Sequence, residues 1–119
     1  MKIKITAETI RQYAAASQDT ADIHLNAEAA ARAGYQRPIA HGMYLMGLAQ
    51  SLYLAEHRTQ WINSCSMKFM KPLWVDSHAS FDFEVNENNI QVTVTADHGE
   101  TIAVGEFTVK EGFRWGRQP

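Results

Sequence analysis

The chain has 119 residues, 45% of them hydrophobic and 20% charged, with a formal net charge of -2. That is enough for one globular core and no second, and without a block of Lys or Arg it offers no footprint for nucleic acid. Cys65 is the only cysteine, which excludes an intrachain disulfide, and no apolar run reaches transmembrane length. These absences lead to the expectation of a cytoplasmic protein with no membrane partner. A domain this small leaves much apolar surface uncovered, so burial of some of it in an oligomer is also expected.

In chain order, Lys2 to Ile5 can form a short strand. Thr6 can then cap a helix from Ala7 to Ser17, with Glu8 at its positive end and Ile10, Tyr13 and Ala14 on one face. Asn26 can cap a short helix from Ala27 to Ala33, which Gly34 would end. After Pro38 comes a longer helix from Met43 to about Glu56, apolar on nearly every side through Leu45, Met46, Leu48, Ala49, Leu52 and Tyr53. A helix of that kind belongs in an interior.

The second half reads as strands. Ala79, Phe81, Phe83 and Val85 alternate with polar residues, as do Ile90, Val92, Val94 and Ala96, and period-two alternation marks half-buried antiparallel strands. The segments 86–89 and 97–99 carry turn chemistry, and 61–70 and 101–109 are two further strands with less regular alternation. The tail from Arg114 to Pro119 is expected to be loosely held. One buried helix followed by a meander of strands predicts an α+β domain over residues 1–119. In it, an antiparallel sheet of about five strands curls round the helix, which is the hot-dog arrangement.

Two stretches carry chemistry. In Ser17-Gln-Asp-Thr-Ala-Asp-Ile-His24, Asp19 and His24 would point about 140° apart on a continuous helix and to opposite faces of a strand. They converge only if the chain bends between them, and residues 19–22 are turn formers. A carboxylate and an imidazole so placed can hold one water and move protons near neutral pH. Taken singly, an Asp after a helix also reads as a solvated cap and a lone His as a packed residue. In Ile39-Ala-His-Gly-Met43, His41 and Gly42 open the apolar helix, whose free N–H groups and positive dipole end suit an anion. Gly42 has no side chain to keep a ligand oxygen from its N–H. Read alone, Gly42 serves equally as a turn residue and His41 as a cap or core residue.

Together, the two stretches resemble the MaoC-like family of (R)-specific enoyl-CoA hydratases, whose pattern runs S-G-D-x-N-P-[LI]-H and then P-I-x-H-G. The motif match spans residues 6–56 and continues more loosely through Met67-Lys-Phe-Met-Lys-Pro72. The resemblance implies Asp19 and His24 as the catalytic pair and Gly42 as a backbone oxyanion donor. It further implies an acyl-CoA or acyl-carrier thioester as ligand, a homodimer or an assembly of such dimers, and no metal or redox cofactor. Ile39, His41, Met43 and Lys68 are the candidate substrate contacts; Lys68 and Lys71 are available to CoA phosphates, although their position alone favours a solvated strand edge. His24 and His41 lack metal-ligand spacing in sequence.

The chain departs from the family pattern at Gln18, Ala21 and Asp22, where the family has Gly, Asn and Pro, and Gly47 replaces a polar residue on the helix. Two rival functions remain: a thioesterase of the same fold, disfavoured because residues 43–53 hold no carboxylate, and a thioester-binding protein without turnover, which Ala21 and Asp22 would favour.

Overall fold

The computed structural model describes residues 1–112, so the tail from Arg114 onward lies outside the described residues. The elements follow the chain as β1 (Lys2–Ile5), α1 (Ala7–Ser17), α2 (Asp22–Leu25), α3 (Ala27–Arg32), α4 (Gly42–Ala55), β2 (Gln60–Phe69), β3 (Ser77–Asn86), β4 (Asn89–Ala96) and β5 (Thr101–Glu111). The expected caps are present: the Thr6 hydroxyl accepts from the N–H of Thr9 at 3.1 Å and the Asn26 side chain from that of Ala29 at 3.0 Å. Gly34, at φ +94°, ends α3 as anticipated. The Tyr35 N–H returns to the carbonyl of Ala30 and the Gly34 N–H to that of Ala31.

All five strands lie in one antiparallel sheet ordered β1-β3-β4-β5-β2, which leaves β1 and β2 as its edges. Phe81 pairs with Val94, and Ile90 with Phe107, and these four are buried on one face, whereas Val85 at the end of β3 is 53% exposed. The less regular strands have a structural reason. Register shifts between Ile62 and Ser64 in β2, and in β5 one extra residue, Ile102, stands between Thr101 and Ala103, which pair with Thr95 and Val94. Such bulges put Ile102 and Ala103, adjacent in sequence, both in the interior. Gly105 of β5 leaves no room for a side chain beside β2, because a Cβ there would stand 2.7 Å from the carbonyl oxygen of Ser66.

The central helix differs from its expected burial. Leu45, Ala49 and Tyr53, one stripe at four-residue spacing, are buried against Phe81, Val92 and Phe107, but Met43 is 64% exposed and Gly47, Ser51 and Ala55 follow it on the open side. A single sheet covers one face of a helix, and the opposite side of α4 is left without a layer among the described residues.

Candidate active site

The segment between α1 and α4 builds the site. α1 stops because Gln18 adopts the left-handed conformation at φ 62°, which turns the chain and throws Asp19 off the helix. The bend anticipated between Asp19 and His24 is there, with one addition: His24 rides on α2, a single helical turn that the sequence pattern did not disclose. Opposite it, residues 38–40 are stitched in place by backbone bonds, from the Ile39 N–H to the Ile23 carbonyl at 3.0 Å, from Ala40 to Leu73 at 2.8 Å, and from Val75 to Pro38 at 2.8 Å. These bonds bring His24 over His41 at the head of α4.

Hydrogen bonding defines both imidazoles. His24 Nδ1 lies 2.7 Å from the carbonyl of Ile39 and must donate to it, since a carbonyl only accepts. His24 Nε2 is then the basic nitrogen of the neutral ring, and it stands 4.0 Å from Asp19 Oδ2. That gap is too wide for a direct hydrogen bond and fits one water about 2.8 Å from each atom. His41 Nε2 lies 2.9 Å from the backbone carbonyl of Asp19, and its ring stacks on that of His24 at 3.7 Å between centroids. Asp19 is 55% exposed at its side chain, whereas His24 is 11% and His41 2% exposed.

Beside this group lies a cleft of about 340 Å³ whose wall includes His24, Ile39, Gly42, Tyr35, Phe69 and Lys71. Of the residues singled out in the sequence, His24, Ile39 and Gly42 face it, and Asp19 borders His24. Gly42 begins α4, and the His41 side chain does not cap the helix, so the first-turn N–H groups stay available. A Cβ on Gly42 would meet the Phe69 ring at 3.3 Å. Three expected substrate contacts fall elsewhere. His41 is buried beneath His24 and does not reach the cleft; Met43 stands on the open side of α4; Lys68 alternates outward from β2 into a separate groove with Val104 and Glu106. Lys71, paired with Glu100 at 3.8 Å, is the lysine at the cleft. Its position after the end of β2 and before Pro72 was the available clue, because the chain leaves the sheet there. Tyr35 and Phe69 had no such signal.

Spacing along the chain missed only that His41 joins Asp19 and His24; the potential ligand atoms of the three lie within 4.8 Å of one another. The orientation of the two rings is a poor fit for a shared metal ion. The two rings are inclined by only 22°, so their in-plane lone pairs run side by side and do not converge on a tetrahedral centre. In addition, His41 Nε2 spends its hydrogen on the Asp19 carbonyl. α4 carries no carboxylate between Gly42 and Ala55.

Among the described residues no helix is long and apolar enough to cross a membrane. The sequence model of a protein family described as "MaoC like domain" matches residues 1–105. No curated protein matches the chain in sequence. Among solved structures, the (R)-hydratase from A. caviae involved in PHA biosynthesis is 25% identical, with 93% of this chain and 91% of that one covered at a TM-score of 0.80. R-hydratase PhaJ1 from Pseudomonas aeruginosa is 22% identical over 94% of this chain and 77% of its own, at a TM-score of 0.79. The C-terminally truncated HadBC complex of Mycobacterium tuberculosis, a 3R-hydroxyacyl-ACP dehydratase, is 21% identical over 92% and 90%, at 0.75. The latter two share the fold, and the hot-dog architecture expected from the sequence is the one observed.

Proposed function

Because the chain belongs to the MaoC-like domain family, we propose that it hydrates an α,β-unsaturated acyl thioester reversibly, with Asp19 and His24 as its acid–base pair. The observation that carries this reading is the 4.0 Å gap between His24 Nε2 and Asp19 Oδ2 at the edge of a cleft that also exposes Gly42 at the head of α4. The likeness to an (R)-hydratase at 25% identity over nearly the whole of both chains supports it.

In the hydration direction, a water held between the two side chains gives a proton to the pair, and its oxygen bonds to the β-carbon. The electron pair of the double bond moves toward the thioester oxygen, which meets the Gly42 N–H as an enolate-like anion. The pair then returns a proton to the α-carbon, so that one water is added and nothing is released. Acid–base catalysis of this type contributes ~10²–10⁴ in rate, and one oxyanion donor about 2.7–4 kcal/mol. The reading takes no metal or redox cofactor. The thioester is an acyl-CoA or an acyl carrier, with Ile39 on the cleft wall and Lys71 at its side.

We place the working unit in a homodimer. Its support is the uncovered side of α4, where Met43 stands exposed, together with the ten-residue edge strand β2, whose outer backbone groups pair with nothing among the described residues. The experiment that tests the activity offers the protein a panel of enoyl-CoAs while enoyl absorbance and free thiol are read together. Loss of absorbance without thiol is expected. Thiol release would favour a thioesterase, and binding without turnover a non-catalytic protein.

A further inference from the structure

The buried imidazole under the pair has no role in the chemistry set out above, and its surroundings are unusual. His41 is 2% exposed, and its Nδ1 is buried with no hydrogen-bond partner among the described residues. An orphaned buried nitrogen is destabilising, and a side chain that carries one calls for a reason. Its other nitrogen supplies one. Asp19 has only long tethers from its own loop, 3.3 Å from its N–H to the Ser17 hydroxyl and 3.4 Å from its Oδ1 to the Ala21 N–H. Among the described residues, the 2.9 Å bond from His41 Nε2 to the Asp19 carbonyl is the shortest hydrogen bond on that residue. The same ring floors His24 at 3.7 Å. From the other side, Tyr13 of α1 meets the His41 ring edge-on at 4.8 Å, and Tyr44 of α4 in turn braces Tyr13 at 5.4 Å.

We propose that His41 is the positioning residue of the pair: one buried ring, fixed as the Nε2–H tautomer, holds the Asp19 backbone and supports the His24 plane together. It acts through those two residues and touches no substrate. The inference deepens the hydratase reading and rests on it. Its consequence is that the water site between Asp19 and His24 is set from beneath, by the residue that ends the loop immediately before α4. A displacement of about 1 Å at such a site costs on the order of 10² in rate.

Two substitutions separate the parts of this role. His41→Phe keeps a flat ring under His24 and removes the donor; His41→Gln keeps an N–H at similar reach and removes the ring. With an enoyl-CoA as substrate, His41→Phe is expected to lower kcat by roughly 10²-fold with KM within about twofold. His41→Gln is expected to recover about tenfold of that loss. A folded His41→Phe with parental kcat, or a His41→Gln no better than His41→Phe, overturns the proposal. ¹⁵N-resolved imidazole spectra of the parent protein give a readout independent of turnover and of how the variants fold. A protonated Nε2 and a bare Nδ1 on His41 are expected, and the opposite tautomer overturns the proposal, since a bare Nε2 cannot donate to Asp19. If the parent hydrates no enoyl thioester while His41 shows the expected tautomer, it is the hydratase reading that fails, and the hold on Asp19 stands.

Discussion

In the sheet, Phe81, Val94 and Phe107 are at most 1% exposed and sit on hydrogen-bonded ladders, so each is held by many neighbours at once. Between α1 and α4 the arrangement is the reverse: Asp19 is 55% exposed at its side chain, and the site depends on single bonds such as His24 Nδ1 to Ile39 and His41 Nε2 to Asp19. The first region draws its stability from apolar burial, which tolerates small errors in angle; the second draws its geometry from polar contacts, which do not. Changes in the segment before α4 should therefore alter rate and leave stability, and changes in the sheet should do the opposite.

The sharpest way to break that contrast is at the pair itself. Asp19→Asn or His24→Ala should lower enoyl-CoA hydration by roughly 10² or more, while the melting temperature stays near that of the parent. Comparable losses in both would mean that the pair is part of the framework. Next in size is Gly42→Ala. The N–H survives, but the new methyl stands 3.3 Å from the Phe69 ring at the cleft, and a rate loss of about tenfold is expected, below that of deleting an oxyanion donor.

The converse test lies in the sheet. In Gly105→Ala the added Cβ meets Met67 Cγ at 2.5 Å and the Ser66 carbonyl oxygen, a backbone atom that cannot swing aside. Overpacking of this kind costs about 1–3 kcal/mol, readable in denaturant melts, and the rate per folded molecule should be unchanged.

The smallest effect concerns pH. Backbone donation from His78, helped by the charges of His78 and Lys2, holds the exposed Asp97 carboxyl below its ordinary range, and Gln60 and Thr59 do the same for Glu111. A carboxyl depressed in the folded state stabilises above its unfolded pKa, and the contribution disappears as pH falls through the folded value. Thermal midpoints should fall as pH drops below the usual carboxylate range, and Asp97→Asn should flatten that slope slightly. A slope equal to the parent's would remove Asp97 from the account.

The same contrast explains how much could be read from the chain alone. β3 and β4 were legible because alternation of Ala79, Phe81 and Phe83 with polar neighbours states which face is inward. The caps at Thr6 and Asn26 were legible because a side-chain oxygen beside a helical run has a local purpose. The bulge at Ile102 was not, since an extra residue shows itself only against its partner strand. In the site, the approach of Asp19 to His24 was anticipated from motif and turn chemistry. The stacking of His24 on His41 was hidden, because it depends on bonds from residues 38–40 to Ile23 and Leu73, one of them across more than thirty positions. The open side of α4 was missed for a related reason: an apolar pattern says that a surface will be covered and does not say by which chain.

The most direct measurement is the fate of solvent hydrogen when the parent protein acts on crotonyl-CoA in D₂O. Proton transfer by Asp19 and His24 should place one solvent deuterium on the α-carbon of a 3-hydroxyacyl product, with the thioester intact and no labelled product from His24→Ala. Release of free thiol, or a hydrated product without deuterium at that carbon, would contradict the account.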